Sequence, residues 1–238
     1  MPCGNDKSAT RQQRQRRVTA LILATAWILF WGPKDLKAGS ITASNSTGIF
    51  GSTEIQGNLS ILERWQKILG KGESQFTFFA TCSPRDKGCP AASVQWRKLA
   101  RSLREYPALR QLQQVNTFFN RWPYMLDQDL YNVPDYWAAP LEFITRSGDC
   151  EDYAITKYFA LKRIGIKPST MRIVILEDSI RNVTHAVLTV TINSTTYVLD
   201  NMSDTLFPDS LYTHYRAQFS FNEHTLRLHL YPHPTLAQ

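Results

Sequence analysis

The segment SGDCEDYAITKYFALKRIG, Ser147 to Gly165, places a cysteine among three acids where a helix begins. Asp149 suits an N-cap, and Glu151 and Asp152 suit the positive end of the helix dipole. That same helix start favours a thiolate at Cys150, whereas the neighbouring carboxylates oppose it. A thiol nucleophile also needs a base and a group to orient the base. Both are found downstream, in HAVLTVTI (His185–Ile192) and TTYVLDN (Thr196–Asn201), which read as two strands of a hairpin around Asn193-Ser194. With the turn centred near residues 192–193, cross-strand partners have numbers adding to about 385, which sets His185 opposite Asp200 on one face. In acyl-transfer chemistry the imidazole of His185 takes the proton of Cys150, and Asp200 fixes the imidazole's tautomer and orientation. Singly, each residue has a plainer reading: a small buried hydrophobe, a structural histidine, a turn aspartate. The conjunction carries the functional reading.

The flanking elements must position these three groups. Apolar residues at helical spacing mark helices over Ile61–Leu69, Val94–Leu103 and Ala108–Phe119, the last opened by Pro107. The segment NRWPYMLDQDLYNVPDYWAAP reads as a long ordered loop leading through a short turn of helix into the cysteine. In the cysteine helix, Cys150, Ala154, Tyr158, Leu161 and Ile164 form one stripe, with Lys157, Lys162 and Arg163 off it and Gly165 as the stop. MRIVILE (Met171–Glu177) and one or two segments of the tail complete a set of strands. Helices first and an antiparallel sheet after them make an α+β fold.

The net charge of +7 is not spread evenly: residues 1–38 hold seven basic and two acidic residues, so five of the seven charges lie there. No basic run with interleaved aromatics follows residue 40, and nucleic-acid binding finds no support. The arginine-rich start precedes an apolar run from Val18 to Trp31, a Gly-Pro break and a small-residue exit, the marks of a secretory signal. As a helix that run would span roughly 21 Å against the roughly 30 Å of a bilayer core. Residues 1–38 are therefore expected to be a signal peptide or an N-terminal membrane anchor. Residues 39–54 are expected to be a flexible linker, and 55–238 the working domain. Cysteine usage agrees with export: Cys82 and Cys89 bracket a polar loop that can close as a disulfide, and no further ligand stands near enough for a zinc site. With Cys3 in the leader, Cys150 is left over. His214, His224, His229 and His233 in the tail have no metal spacing.

GDCEDYA with the hydrophobic helix after it, THAVL, YVLDN and the upstream DYWAAPLEF together resemble the bacterial transglutaminase-like cysteine proteinases of the LapG type. The resemblance implies a papain/transglutaminase-like fold with the nucleophile at a helix N-terminus, and a catalytic triad of Cys150, His185 and Asp200. It further implies a periplasmic endopeptidase that cuts a large surface adhesin near paired alanines and so promotes biofilm dispersal. An inner-membrane cyclic-di-GMP receptor of the LapD type would act as its inhibitor. Calcium dependence is implied through the acids flanking the nucleophile, Asp149 and Glu151. A hard cation taking several oxygens would neutralise those acids, and Asp127 and Asp129 of DQDLY offer further ones unless that loop is simply solvated. Trp137 and Tyr136 are candidates for lining a substrate cleft or for plain packing. Two rivals keep the same residues: acyl transfer to an amine, and a binding module with an idle site.

Overall fold

The structure, a computed structural model, describes residues 48–232. The leader with Cys3, most of the expected linker and His233 lie outside the described residues. In chain order the described part runs β1 (Thr53–Gly57), α1 (Glu63–Thr81), α2 (Ala92–Leu103), α3 (Ala108–Phe119), α4 (Asp127–Tyr131), α5 (Pro140–Arg146) and α6 (Cys150–Arg163). The strands β2 (Met171–Asp178), β3 (Val183–Ile192), β4 (Thr195–Leu199), β5 (Phe207–Pro208), β6 (Tyr215–Phe221) and β7 (Leu226–Leu230) follow. One antiparallel sheet in the order β1-β7-β6-β2-β3-β4-β5 carries the helical layer on one face, an α+β architecture. Among the described residues no helix is long and apolar enough to cross a membrane.

The helix α6 lies at the centre, against β2 and β3 on one side and α1, α3 and α5 on the other. It is covered all round from Cys150 to Leu161, so the single apolar stripe expected from its sequence is too narrow a description. Lys162 and Arg163 do reach the surface, but Lys157 is fully buried because the helical layer closes over its side of α6. α1 runs through Gly70 and Gly72 instead of ending near Leu69. A Cβ at Gly72 would stand 2.3 Å from the Phe159 ring, so this glycine serves the close approach of α1 to α6 and not a stop. Trp65 ties α1 to the sheet, donating its Nε1–H to Asn222 O at 2.9 Å and packing edge-on to Phe221. After α1, Cys82 and Cys89 are joined by a disulfide.

Two expectations are corrected. The last residues assigned to the linker are structural: Ile49 and Phe50 are buried on the face of the sheet opposite the helices, and β1 pairs with β7 from Thr53. Ser52 Oγ lies 2.7 Å from His229 Nδ1, whose Nε2 lies 2.8 Å from Ser220 Oγ, which pins this segment to the sheet. A Gly/Ser/Thr-rich stretch with only three large apolar residues gives no periodic signal, so only the partner strand reveals it. The β3–β4 hairpin, for its part, turns at Asn193-Ser194, both with positive φ (48° and 64°), and pairs Leu188 with Leu199. That register differs by two residues from the one expected. Since side chains alternate with period two, the shift leaves every residue on its expected face.

Candidate active site

The approach to α6 is tightly built. Ser147 holds a φ of 71°, and Gly148 leaves space that the Asp152 carboxylate occupies, 2.0 Å from where a glycine-to-alanine Cβ would stand. Asp152 accepts the N–H of Ala138 at 2.6 Å and that of Asp149 at 3.2 Å, so one acid of the first turn fixes both the preceding loop and the cap. These contacts hold Cys150 at the first helical position, 1 % exposed. Its Sγ accepts the Ala186 N–H at 3.2 Å and stands 3.6 Å from Glu151 Oε2. The helix start is therefore docked on β3 next to His185. Among the described residues no cysteine is free, and the nucleophilic chemistry of Cys150 belongs to its reduced form.

Asp200 follows the last residue of β4. In the observed register it lies diagonally from His185, two residues along on the same face, within reach of longer side chains. His185 Nε2 and Asp200 Oδ1 are 2.9 Å apart, both residues buried. Asp200 Oδ1 also accepts the Met202 N–H at 2.9 Å, Oδ2 accepts the Tyr215 hydroxyl at 2.6 Å, and Asn120 holds the Asp200 carbonyl at 3.0 Å. Burial by itself would raise the Asp200 pKa, but the charge on His185 and these hydrogen bonds outweigh it and hold the carboxyl below the usual range. Tyr215, whose ring meets that of His185 edge-on at 5.9 Å, is a site residue that sequence reasoning missed. Its only sequence signal was a place in a tail strand.

The acids converge more widely than expected, with one exception. Oxygens of Asp127, Asp135 and Glu151 lie within 4.8 Å of one another, as do those of Asp127, Asp149 and Asp152. Asp129 is exposed and belongs to neither group. DQDLY folds as the short helix α4, where residues two apart point about 200° away from each other, so Asp127 and Asp129 cannot serve one site. Asp135 and Asp152 take the place expected of it. Burial pushes Asp149 up to about 7 and raises Asp127, Glu151 and Asp152 as well, the last two strongly. Asp135 is held down by its ion pair with Arg64, 2.5 Å away, although burial opposes this. Among the described residues, no hydrogen-bond donor reaches the buried Asp127 Oδ1 or Asp149 Oδ1. Buried carboxylates with spare oxygens and little compensating positive charge are the donor set of a hard divalent cation.

Beside this cluster a cleft of about 400 Å³ is lined by Leu62, Trp137, Ile175 and Phe219, with His185 and Ala186 in its wall. Trp137 stacks on Phe221 at 5.5 Å and faces the cleft. Tyr136 does not line it: its ring packs on Tyr131 at 4.2 Å and its N–H is bound by Asp127.

Comparison with known proteins places this arrangement. The family model described as bacterial transglutaminase-like cysteine proteinase matches residues 70–226. Among solved structures, Legionella pneumophila LapG is 32 % identical over 68 % of this chain and 86 % of its own, with a TM-score of 0.53. Calcium-bound and EGTA-treated forms of that protein match with the same score and identity, covering 86 % and 84 % of their chains. The search of curated proteins gives no match. With more than half of its length matched by the family model and a cysteine docked beside a His–Asp pair, the chain belongs to the bacterial transglutaminase-like cysteine proteinases and is of the LapG type.

Proposed function

We propose that the protein is an exported, calcium-dependent cysteine endopeptidase with Cys150, His185 and Asp200 as its triad. The observation that carries this reading is the 2.9 Å contact of His185 Nε2 with Asp200, beside a Cys150 sulfur bound to the next backbone N–H of β3. With Nε2 committed to the carboxylate, Nδ1 is the nitrogen that takes the thiol proton. The thiolate attacks the peptide carbonyl, and the first-turn N–H groups of α6, which lack intrahelical partners, offer donors to the oxyanion. The tetrahedral adduct collapses as the imidazolium gives its proton to the leaving amine. Water, deprotonated by the same nitrogen, then hydrolyses the thioester and restores the thiol.

Asp127, Asp135, Asp149, Glu151 and Asp152 would hold calcium, Asp127 and Asp149 through the oxygens that otherwise lack a donor. When bound, the ion would neutralise the charges that oppose ionisation of Cys150. The likeness to LapG and the leader of residues 1–38 support a periplasmic enzyme that cuts the N-terminal region of a large surface adhesin near paired alanines. The same likeness supports control by an inner-membrane cyclic-di-GMP receptor that sequesters the enzyme.

The test is cleavage of an adhesin N-terminal fragment by the reduced full-length protein, with an amine donor present and the product termini sequenced. Wild type with Ca²⁺ is expected to give hydrolysed ends. Cys150→Ala is expected to lose about four or more orders of magnitude of rate. Chelator is expected to suppress cleavage, with recovery when Ca²⁺ is restored. Amidated ends would move the assignment to acyl transfer, and cleavage by the alanine variant would remove Cys150 from the chemistry.

A further inference from the structure

At the far end of α6, some 13 residues or about 20 Å from Cys150, a second cleft opens between α6 and α2. It holds about 370 Å³ and is lined by Arg97, Arg101, Arg104 and Arg163 over Trp96 and Ile164. Arg97 and Arg101 of α2 and Arg104, which caps its C-terminus in helical conformation, follow one another at four- and three-residue spacing and so share a face, while Arg163 approaches from the last turn of α6. Arg97 is half-buried and anchored: its Nη1 donates to Cys82 O, beside the disulfide, and lies 3.4 Å from Ser93 Oγ. Arg101, Arg104 and Arg163 are exposed.

None of these four guanidinium groups forms an ion pair among the described residues. Arg64, Lys71, Lys162, Arg172 and Arg181 all do. The imbalance is regional: residues 92–121 contain six basic residues and one acid, in a chain whose residues after 38 sum to only two positive charges. Four like charges around one concavity repel one another, and no carboxylate among the described residues pairs with them. A planar carboxylate is satisfied by one arginine fork. A tetrahedral, doubly charged phosphate offers oxygens to several forks at once, and the apolar floor of Trp96 and Ile164 suits a part of the ligand without charge.

We infer that this arginine cleft is a binding site for a phosphate-bearing ligand, separate from the catalytic cleft. The experiment titrates the full-length protein at physiological ionic strength with pyrophosphate and with polyglutamate by calorimetry. Sedimentation is measured in parallel with vesicles of phosphatidylcholine alone and with added phosphatidylglycerol. The comparison protein is the Arg101→Gln/Arg104→Gln double variant, whose exposed substitutions leave the core untouched and whose melting temperature checks the fold.

Saturable pyrophosphate binding that weakens about tenfold or more in the variant, as expected for losing charge-assisted hydrogen bonds, supports a soluble phosphate compound. Binding confined to the phosphatidylglycerol vesicles, and lost in the variant, supports the phosphate of a lipid headgroup. The inference is overturned if no phosphate probe binds, if the folded variant binds as wild type does, or if polyglutamate binds as tightly as pyrophosphate.

Discussion

Asp200 shows how much of this site's behaviour is set atom by atom. Its Oδ1 serves His185 and the Met202 N–H, and its Oδ2 serves, among the described residues, Tyr215 alone. Deleting the tyrosine hydroxyl leaves a buried carboxylate oxygen with no protein donor while the ring packing against His185 remains. A hydrogen bond to a charged group contributes roughly 1.5–3 kcal/mol, so Tyr215→Phe should lower kcat/KM about ten- to a hundredfold with little change in KM. The carboxyl would also lose one of the interactions that hold its pKa down, so the acid limb of the pH–rate profile should move to higher pH. Steady-state kinetics across pH measure both effects. An unchanged profile would reduce Tyr215 to packing.

At the scale of the element, the start of α6 couples three things: the helix cap, the loop from Ala138 and the acid cluster. All three meet on the Asp152 carboxylate, which fits because Gly148 has no side chain. Gly148→Ala would drive a Cβ into Asp152 Oδ2 and displace it from both N–H groups. The expected results are a destabilisation of about 1–3 kcal/mol, read from urea denaturation, and weaker calcium binding by calorimetry. Loss of stability with calcium affinity intact would separate the cap from the metal group. This coupling also explains why Asp152 read from sequence as an ordinary helix-start acid: its second partner, Ala138, is 14 residues away.

Over the whole molecule, charge is segregated. Acids gather at the N-terminal end of α6 and arginines at its C-terminal end, while Lys157 lies buried between, its Nζ without a hydrogen-bond partner among the described residues. Burial lowers the Lys157 pKa to about 7, against the pull of Asp200 and Asp204. Because its folded pKa is depressed below 10.5, the unfolded chain binds more protons between pH 7 and 10.5, and this lysine's contribution makes stability rise with pH across that window. Lys157→Met should therefore be more stable than wild type near pH 7, by about 1–4 kcal/mol, with the difference shrinking as pH approaches 10. Urea melts of both proteins across the window measure it. A variant less stable throughout would mean that attraction between Lys157 and the Asp200 side of the site outweighs the burial cost.

The residues that local periodicity governs were legible in the sequence. Asp149 and Cys150 open α6 because cap chemistry acts over one turn. His185 and Asp200 share a face because the alternation of a strand survives a two-residue error in register. Ala108–Phe119 was legible because its apolar positions repeat at helical spacing. Tertiary structure alone decided the rest. It recruited Asp135 and Asp152 to the acid cluster and excluded Asp129, set Tyr215 on Asp200, ordered β1 against β7 and closed the helical layer over Lys157. Each of those outcomes depends on a partner distant in sequence. Periodicity records which way a side chain leaves its own helix or strand, and carries no record of what the rest of the chain brings to meet it.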